Sequence, residues 1–168
     1  GISDIYCSPI FAAAPGSTHG YDVASYRRIN PELGGEDGFR TPWGEVKKHG
    51  MGLLLDFVPN HMGVSGPFNS WWSNVLECGL NSPYADFFDI HWNGVRGTRV
   101  LVPVLENHYG LVLEQGLIRL GQEQGMFHLA YGDARFPICP ECYGSLLQSA
   151  ASRLPGPQER GALLEIAQ

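Results

Sequence analysis

The chain has 168 residues, 43% hydrophobic and 17% charged, with a formal net charge of −6. That length suits one ordinary domain with a real core, and the acidic balance without clustered Lys and Arg excludes a nucleic-acid footprint. No apolar run is long enough to span a bilayer, and the opening GISDIYCSPIF has no basic region, long apolar stretch or initiating Met, so the chain reads as cut rather than begun.

In chain order, residues 2–10 read as a buried strand that breaks at Pro9, followed by a turn-rich loop over 12–21. Residues 36–49 occupy the place of a crossover helix, and residues 51–58 form a second apolar run. Strand, loop, helix and strand make a βαβ unit of a parallel sheet. The run MGLLLDFV is apolar on consecutive residues, which predicts a strand covered on both faces. Pro42 and Gly44 interrupt the helix; the expectation is a kink, or a helix that starts only near Pro42.

Beyond His61 the texture changes. Residues 62–142 read as a mixed, β-rich segment with paired aromatics (Trp71-Trp72 and Phe87-Phe88). Residues 99–105 resemble a strand interrupted at Pro103. Residues 117–131 predict two strands flanking a Gln-Glu-Gln-Gly turn. Residues 143–168 predict helix, broken at Pro155-Gly156-Pro157. The expected division is therefore 1–61, 62–142 and 143–168.

Four cysteines, Cys7, Cys78, Cys139 and Cys142, are widely separated. Without a secretion signal they favour reduced thiols and a cytoplasmic protein. Cys139-Pro-Glu-Cys142 has the spacing of half a zinc site, but no second pair accompanies it. The favoured reading is a turn carrying two incidental thiols.

Chemistry concentrates at the ends of the two strands, where parallel α/β barrels place function. Asp56, Asn60 and His61 crowd the exit of the second strand. The competing reading is that Asp56 and Asn60 satisfy loop amides and His61 is a surface residue. The first strand leads to Ser17-Thr18-His19-Gly20-Tyr21-Asp22. In a βαβ unit both exits point the same way, so His19, Tyr21 and His61 would line one pocket. A Tyr offers a flat face for a sugar ring and a hydroxyl to bond it, and a neutral His donates to or accepts from a sugar hydroxyl. For Tyr21 alone, a loop-anchoring aromatic is the plainer reading. No nucleophile elbow or phosphate-binding glycine loop is present. An uncharged carbohydrate fits the net charge.

DFVPNH, with HGYD before it, resembles the conserved elements of the α-amylase family (glycoside hydrolase family 13). Longer phrases, SPIFAAAPGSTHGYDV, RINPELGGEDGFR, HGMGLLLDFVPNHMGV, WWSNVLECGLNSPYADFFDIHW and RFPICPECYGSLL, resemble its malto-oligosyltrehalose synthase branch. The resemblance implies a partial (β/α)8 TIM barrel, about strands two and three, with a β-rich inserted domain after strand three. Residues 1–61 would be partial catalytic barrel, 62–142 the insertion, and 143–168 a helical segment returning towards the barrel.

It implies an isomerase of trehalose biosynthesis that converts the reducing-end α-1,4 link of a maltooligosaccharide to α,α-1,1. A retaining mechanism would use two carboxylates. Tyr21 would stack on glucose, His61 would hydrogen-bond it, and His19 would lie beside Tyr21. Asp22, Asp56 and Asn60 would be structural at the site, Asp56 as a buried carboxylate turned towards an Arg on a later strand. Asn60 matches a calcium-binding position of other α-amylases, but this branch predicts neither metal nor cofactor. Trp71, Trp72 or Tyr84 are further candidates for sugar platforms, with core packing the favoured reading for each.

The nucleophile and acid/base motifs lie on later strands that this sequence does not contain, so the chain alone is expected to be inert. The full enzyme would work with a trehalose-releasing hydrolase on α-glucan. The alternatives are an α-amylase-type hydrolase, a non-catalytic sugar-binding module, and a zinc-binding protein through Cys139 and Cys142. The interruption Thr41-Pro42-Trp43-Gly44 departs from the unbroken helix of the family.

Overall fold

The computed structural model describes residues 1–93 and 99–166. The chain forms two compact units, Gly1–Ser70 and Trp71–Gln168.

In the first unit, β1 (Asp4–Cys7) and β4 (Gly52–Leu55) pair in parallel, Asp4 opposite Gly52 and Cys7 opposite Leu55. The crossover is made by α1 (Gly35–Lys48), because parallel neighbours cannot be joined by a tight turn. Between β1 and α1 the chain makes an antiparallel arm of β2 (Phe11–Ala13) and β3 (Val23–Ile29). Residues 14–21 are turns and bends, as expected of the 12–21 loop; the correction is that residues 12 and 13 belong to a strand and that the loop is flanked by a paired arm. β2 is too short to display an alternating pattern, and the arm is closed by tertiary bonds, Asn30 N–H to Ile10 O at 2.8 Å and Ala14 N–H to Asp22 O at 3.1 Å.

The helix occupies the expected 36–49 stretch almost residue for residue: it begins at Gly35, well before Pro42, and runs through it, which overturns only the alternative of a start near Pro42. Its start is prepared upstream. Asn30 accepts the Glu32 N–H on its side chain at 3.0 Å and the Gly35 N–H on its carbonyl at 3.0 Å. Glu36 and Asp37 in the first turn and Lys47 and Lys48 in the last complement the helix dipole. The last turn closes through Met51 N–H to Val46 O at 3.1 Å, and Val46 is the buried anchor of the helix.

Both strands are shorter than expected, and they are not covered on both faces. Tyr6 is 62% exposed and Leu54 60% exposed. A pair of strands has only one neighbour each, so apolar side chains suited to a larger sheet stay open.

In the second unit, α2 (Ser70–Cys78) buries Trp72 and Val75, with the Trp72 ring 5.1 Å from Phe88. A shorter helix, α3 (Tyr109–Glu114), buries Val112. The strands β5 (Ile118–Glu123), β6 (Met126–Tyr131) and β7 (Ala134–Pro137) form an antiparallel meander. The β5–β6 turn has two residues, Gln124 at φ 50° and Gly125 at φ 84°, positive values that suit the twist of the hairpin. Residues 99–105 are not a strand; Pro103 cannot donate to a ladder, and Val104 N–H turns back to Val102 O at 3.0 Å. The chain ends in α4 (Tyr143–Ala151) and α5 (Pro157–Ile166). Tyr143 Oη accepts the Phe127 N–H at 2.9 Å, fastening α4 to the meander. Among the described residues no helix is long and apolar enough to cross a membrane.

Candidate sugar-binding site

The first unit brings the ends of β1 and β4 side by side. Asp56 follows β4 directly, and its N–H bonds to Cys7 O at 2.9 Å, extending the ladder by one step. Its carboxylate therefore leaves the sheet at a defined place. Oδ2 accepts two phenol hydrogen bonds, from Tyr21 at 2.5 Å and from Tyr6 at 2.6 Å. These bonds stabilise the ionised carboxyl, so the Asp56 pKa is lowered, by Tyr21 first and by Tyr6 second. The same bonds disfavour phenolate: Tyr6 is pushed up to about 12, and Tyr21 is also raised. Asp56 is half-buried rather than buried as expected, because the two-stranded sheet leaves its side open.

Tyr21 is held from its other end by the loop between β2 and β3. Its N–H bonds to His19 Nδ1 at 3.0 Å, and the two rings stack at 5.9 Å with an interplanar angle of 21°. Ser17 Oγ donates to Asp22 Oδ1 and accepts the Gly20 N–H at 3.1 Å. Asp22 Oδ1 also lies 3.8 Å from His19 Nδ1. Gly20 has φ 77°, and a side chain there would meet Pro9 O at 3.0 Å. Both facts demand glycine.

Pro9, Gly20, Tyr21, Tyr26, Asp56 and Phe57 are among the residues lining a shallow depression. A larger cavity of about 960 Å³ lies in the second unit, with Val75, Cys78, Leu129 and Cys139 in its wall. None of the predicted sugar contacts is there. The polar groups converge on the depression, which makes it the better candidate.

His61 and Asn60 stand exposed on the loop after β4. The structure joins Tyr21, His19, Asp22 and Asp56 through hydrogen bonds and ring contact, while His61 is held through its backbone, its carbonyl accepting from Tyr26 Oη at 2.8 Å. Tyr6 and Tyr26 carry no motif in the sequence. The only signal for Tyr6 was its place in the strand parallel to the one carrying Asp56; Tyr26 had none.

In the second unit the aromatic candidates separate. Trp72 is core, 9% exposed. Trp71 stacks on Tyr84 at 5.3 Å and 10°, so each covers a face of the other. Cys139 is half-buried and Cys142 exposed; both are free thiols. Among the described residues no cluster of three or more His, Cys, Asp or Glu is arranged to hold a metal.

Comparison with known proteins places the chain in a family. Residues 1–128 match the family model described as alpha amylase, catalytic domain. A putative maltooligosyl trehalose synthase of Mycobacterium tuberculosis (strain H37Rv) is 45% identical over 125 residues, 72% of this chain and 16% of that protein. The intracellular maltogenic amylase of Bacillus subtilis (strain 168) is 40% identical over 91 residues, 54% of this chain and 15% of the enzyme.

Among solved structures, the maltooligosyltrehalose synthase from Arthrobacter ramosus superposes with a TM-score of 0.74 at 37% identity, covering 82% of this chain and 17% of that one. The DSM5389 glycosyltrehalose synthase superposes at 0.76 and 33% identity, covering 99% and 22%. The chain thus spans 16% of the length of the curated maltooligosyl trehalose synthase it matches.

Proposed function

The chain belongs to the α-amylase family, and on that premise we propose that it is the substrate-gripping part of a trehalose-forming isomerase acting on maltooligosaccharides. Residues 1–61 would supply barrel strands two and three, 62–142 the domain inserted after strand three, and 143–168 a helical return. The whole protein would move the reducing-end α-1,4 link to α,α-1,1 by intramolecular transglucosylation, with a trehalose-releasing hydrolase acting next. The free state of all four cysteines favours the cytoplasm.

Within the site, Tyr21 presents its ring to glucose, His61 bonds a glucose hydroxyl, and His19 backs Tyr21. Asp22, Asp56 and Asn60 hold the frame. The observation that carries this reading is the Tyr21–Asp56 bond of 2.5 Å, which ties the β2–β3 loop to the exit of β4. It fixes a flat aromatic face beside a row of polar groups, as ring recognition requires. The two carboxylates at hand do not suit bond cleavage. Asp56 is kept ionised by two phenols and is no general acid; Asp22 is engaged by Ser17. A retaining pair needs one carboxyl free to attack and another to protonate.

The chain alone is therefore expected to bind maltopentaose without converting it. Calorimetric titration should show saturable binding that Tyr21→Ala weakens at least tenfold, and product analysis should find neither trehalosyl sugar nor new reducing ends. Trehalosyl product would overturn the claim that the nucleophile and acid lie elsewhere. New reducing ends would favour a hydrolase, a reading supported by the likeness to the Bacillus subtilis amylase.

A further inference from the structure

We infer that Tyr26 is a positioning residue for this site, its hydroxyl setting the distance between the Tyr21 platform and His61. The role of His61 and Tyr21 in gripping glucose rests on the function proposed above; the positioning itself does not.

Tyr26 Oη lies 3.0 Å from Val58 O and 2.8 Å from His61 O. One hydroxyl proton thus serves the two ends of the segment that carries Pro59 and Asn60. Tyr26 belongs to β3, the strand that begins two residues after Tyr21. A single side chain of the Tyr21 arm therefore gathers the loop that presents His61. A second bond runs in the same sense, Gly63 N–H to Val23 O at 2.8 Å. It requires close approach, since a Cβ on Gly63 would fall 2.7 Å from Asp22 O.

The ring is oriented by its neighbours. It meets Phe11 edge-on at 5.6 Å and Phe57 edge-on at 5.7 Å, and those two lie 5.8 Å apart. Phe57 adjoins Asp56, so the trio links β2, β3 and the exit of β4. A phenylalanine would fill the same space. What the hydroxyl adds is the reach to the two carbonyls. Burial raises the Tyr26 pKa, which extends to higher pH the range over which the phenol is a donor.

The test compares the 168-residue chain with Tyr26→Phe, which retains the ring, by NMR and by maltopentaose titration. The inference expects the carbonyl carbon signals of Val58 and His61 to shift, and exchange of the Gly63 amide to accelerate at least fivefold. Signals from the β1–β4 pair should stay in place, which a general loosening would not permit, and the maltopentaose Kd should rise at least fivefold. Unchanged Val58, His61 and Gly63 signals would overturn the inference, as would unchanged affinity in a chain that binds.

If the unsubstituted chain does not bind maltopentaose, the proposed function fails, while the carbonyl and amide readouts still decide the positioning. Should Tyr26→Phe not fold, deuterium substitution in the unsubstituted chain replaces it. Exchange of the hydroxyl proton must move the Val58 and His61 carbonyl signals, and their indifference would refute the bond.

Discussion

At the residue scale the centre of the first unit is one oxygen atom, Asp56 Oδ2, which two phenols share. Its pH dependence has a definite sign. The lowered pKa of Asp56 means that its contribution to stability is present above its unfolded pKa and lost as pH falls through the folded value. The raised pKa of Tyr6 works in the opposite direction: its contribution is present below the ordinary phenol value and lost as pH rises through about 12. Alkaline titration followed by tyrosinate absorbance should therefore show one phenol ionising near 12. In Asp56→Asn that late step should move back towards the ordinary range; its persistence would mean that the carboxylate is not the cause. Gly20 permits a second prediction. Gly20→Ala places a side chain at φ 77° and against Pro9, so denaturant unfolding should register a loss of about 1–2 kcal/mol.

Among the elements, α1 shows local preference overridden. An interior proline costs about 3 kcal/mol in a regular helix, yet α1 spans Gly35–Lys48 with Pro42 inside. The Asn30 turn, the acidic first turn, the basic last turn and the burial of Val46 offset that cost together. Pro42→Ala should raise stability by about 2 kcal/mol in urea unfolding, less than the full helix penalty because the unfolded chain also gains freedom. An unchanged midpoint would mean that the backbone around Pro42 is already unstrained. The β2–β3 arm makes the complementary case. Its pairing depends on bonds from Ile10 and Asn30 that lie far apart in the chain, so no local pattern announced it.

For the molecule as a whole, large apolar side chains left exposed outnumber those that are buried among the described residues. Tyr6, Leu54, Leu55 and Phe57 cluster at the two paired strands. Exposed apolar surface of this kind promotes association. Sedimentation velocity should show weight-average size growing with concentration, and a hydrophobic dye should gain fluorescence on the native chain. A strictly monomeric, dye-indifferent protein would mean that these side chains are covered in solution. Replacing Leu54 with Lys should suppress the association without disturbing the Tyr21–Asp56 bond, since Asp56 is held by Cys7 and the phenols.

By itself the sequence determined the family, through HGYD and DFVPNH in order, and the βαβ course, through two apolar runs separated by a helical stretch. It also located Asp56 at the exit of the second parallel strand and Tyr21 in the loop region that follows the first, on one side of the sheet because parallel strands must end on the same side. Tertiary structure alone decided which groups meet there. Tyr6 and Tyr26 reach across 50 and 35 residues of chain to Asp56 and His61, and contacts of that separation leave no periodic trace. Side-chain length, register and the closeness allowed by Gly20 and Gly63 determine them, and those quantities exist only once the strands have paired.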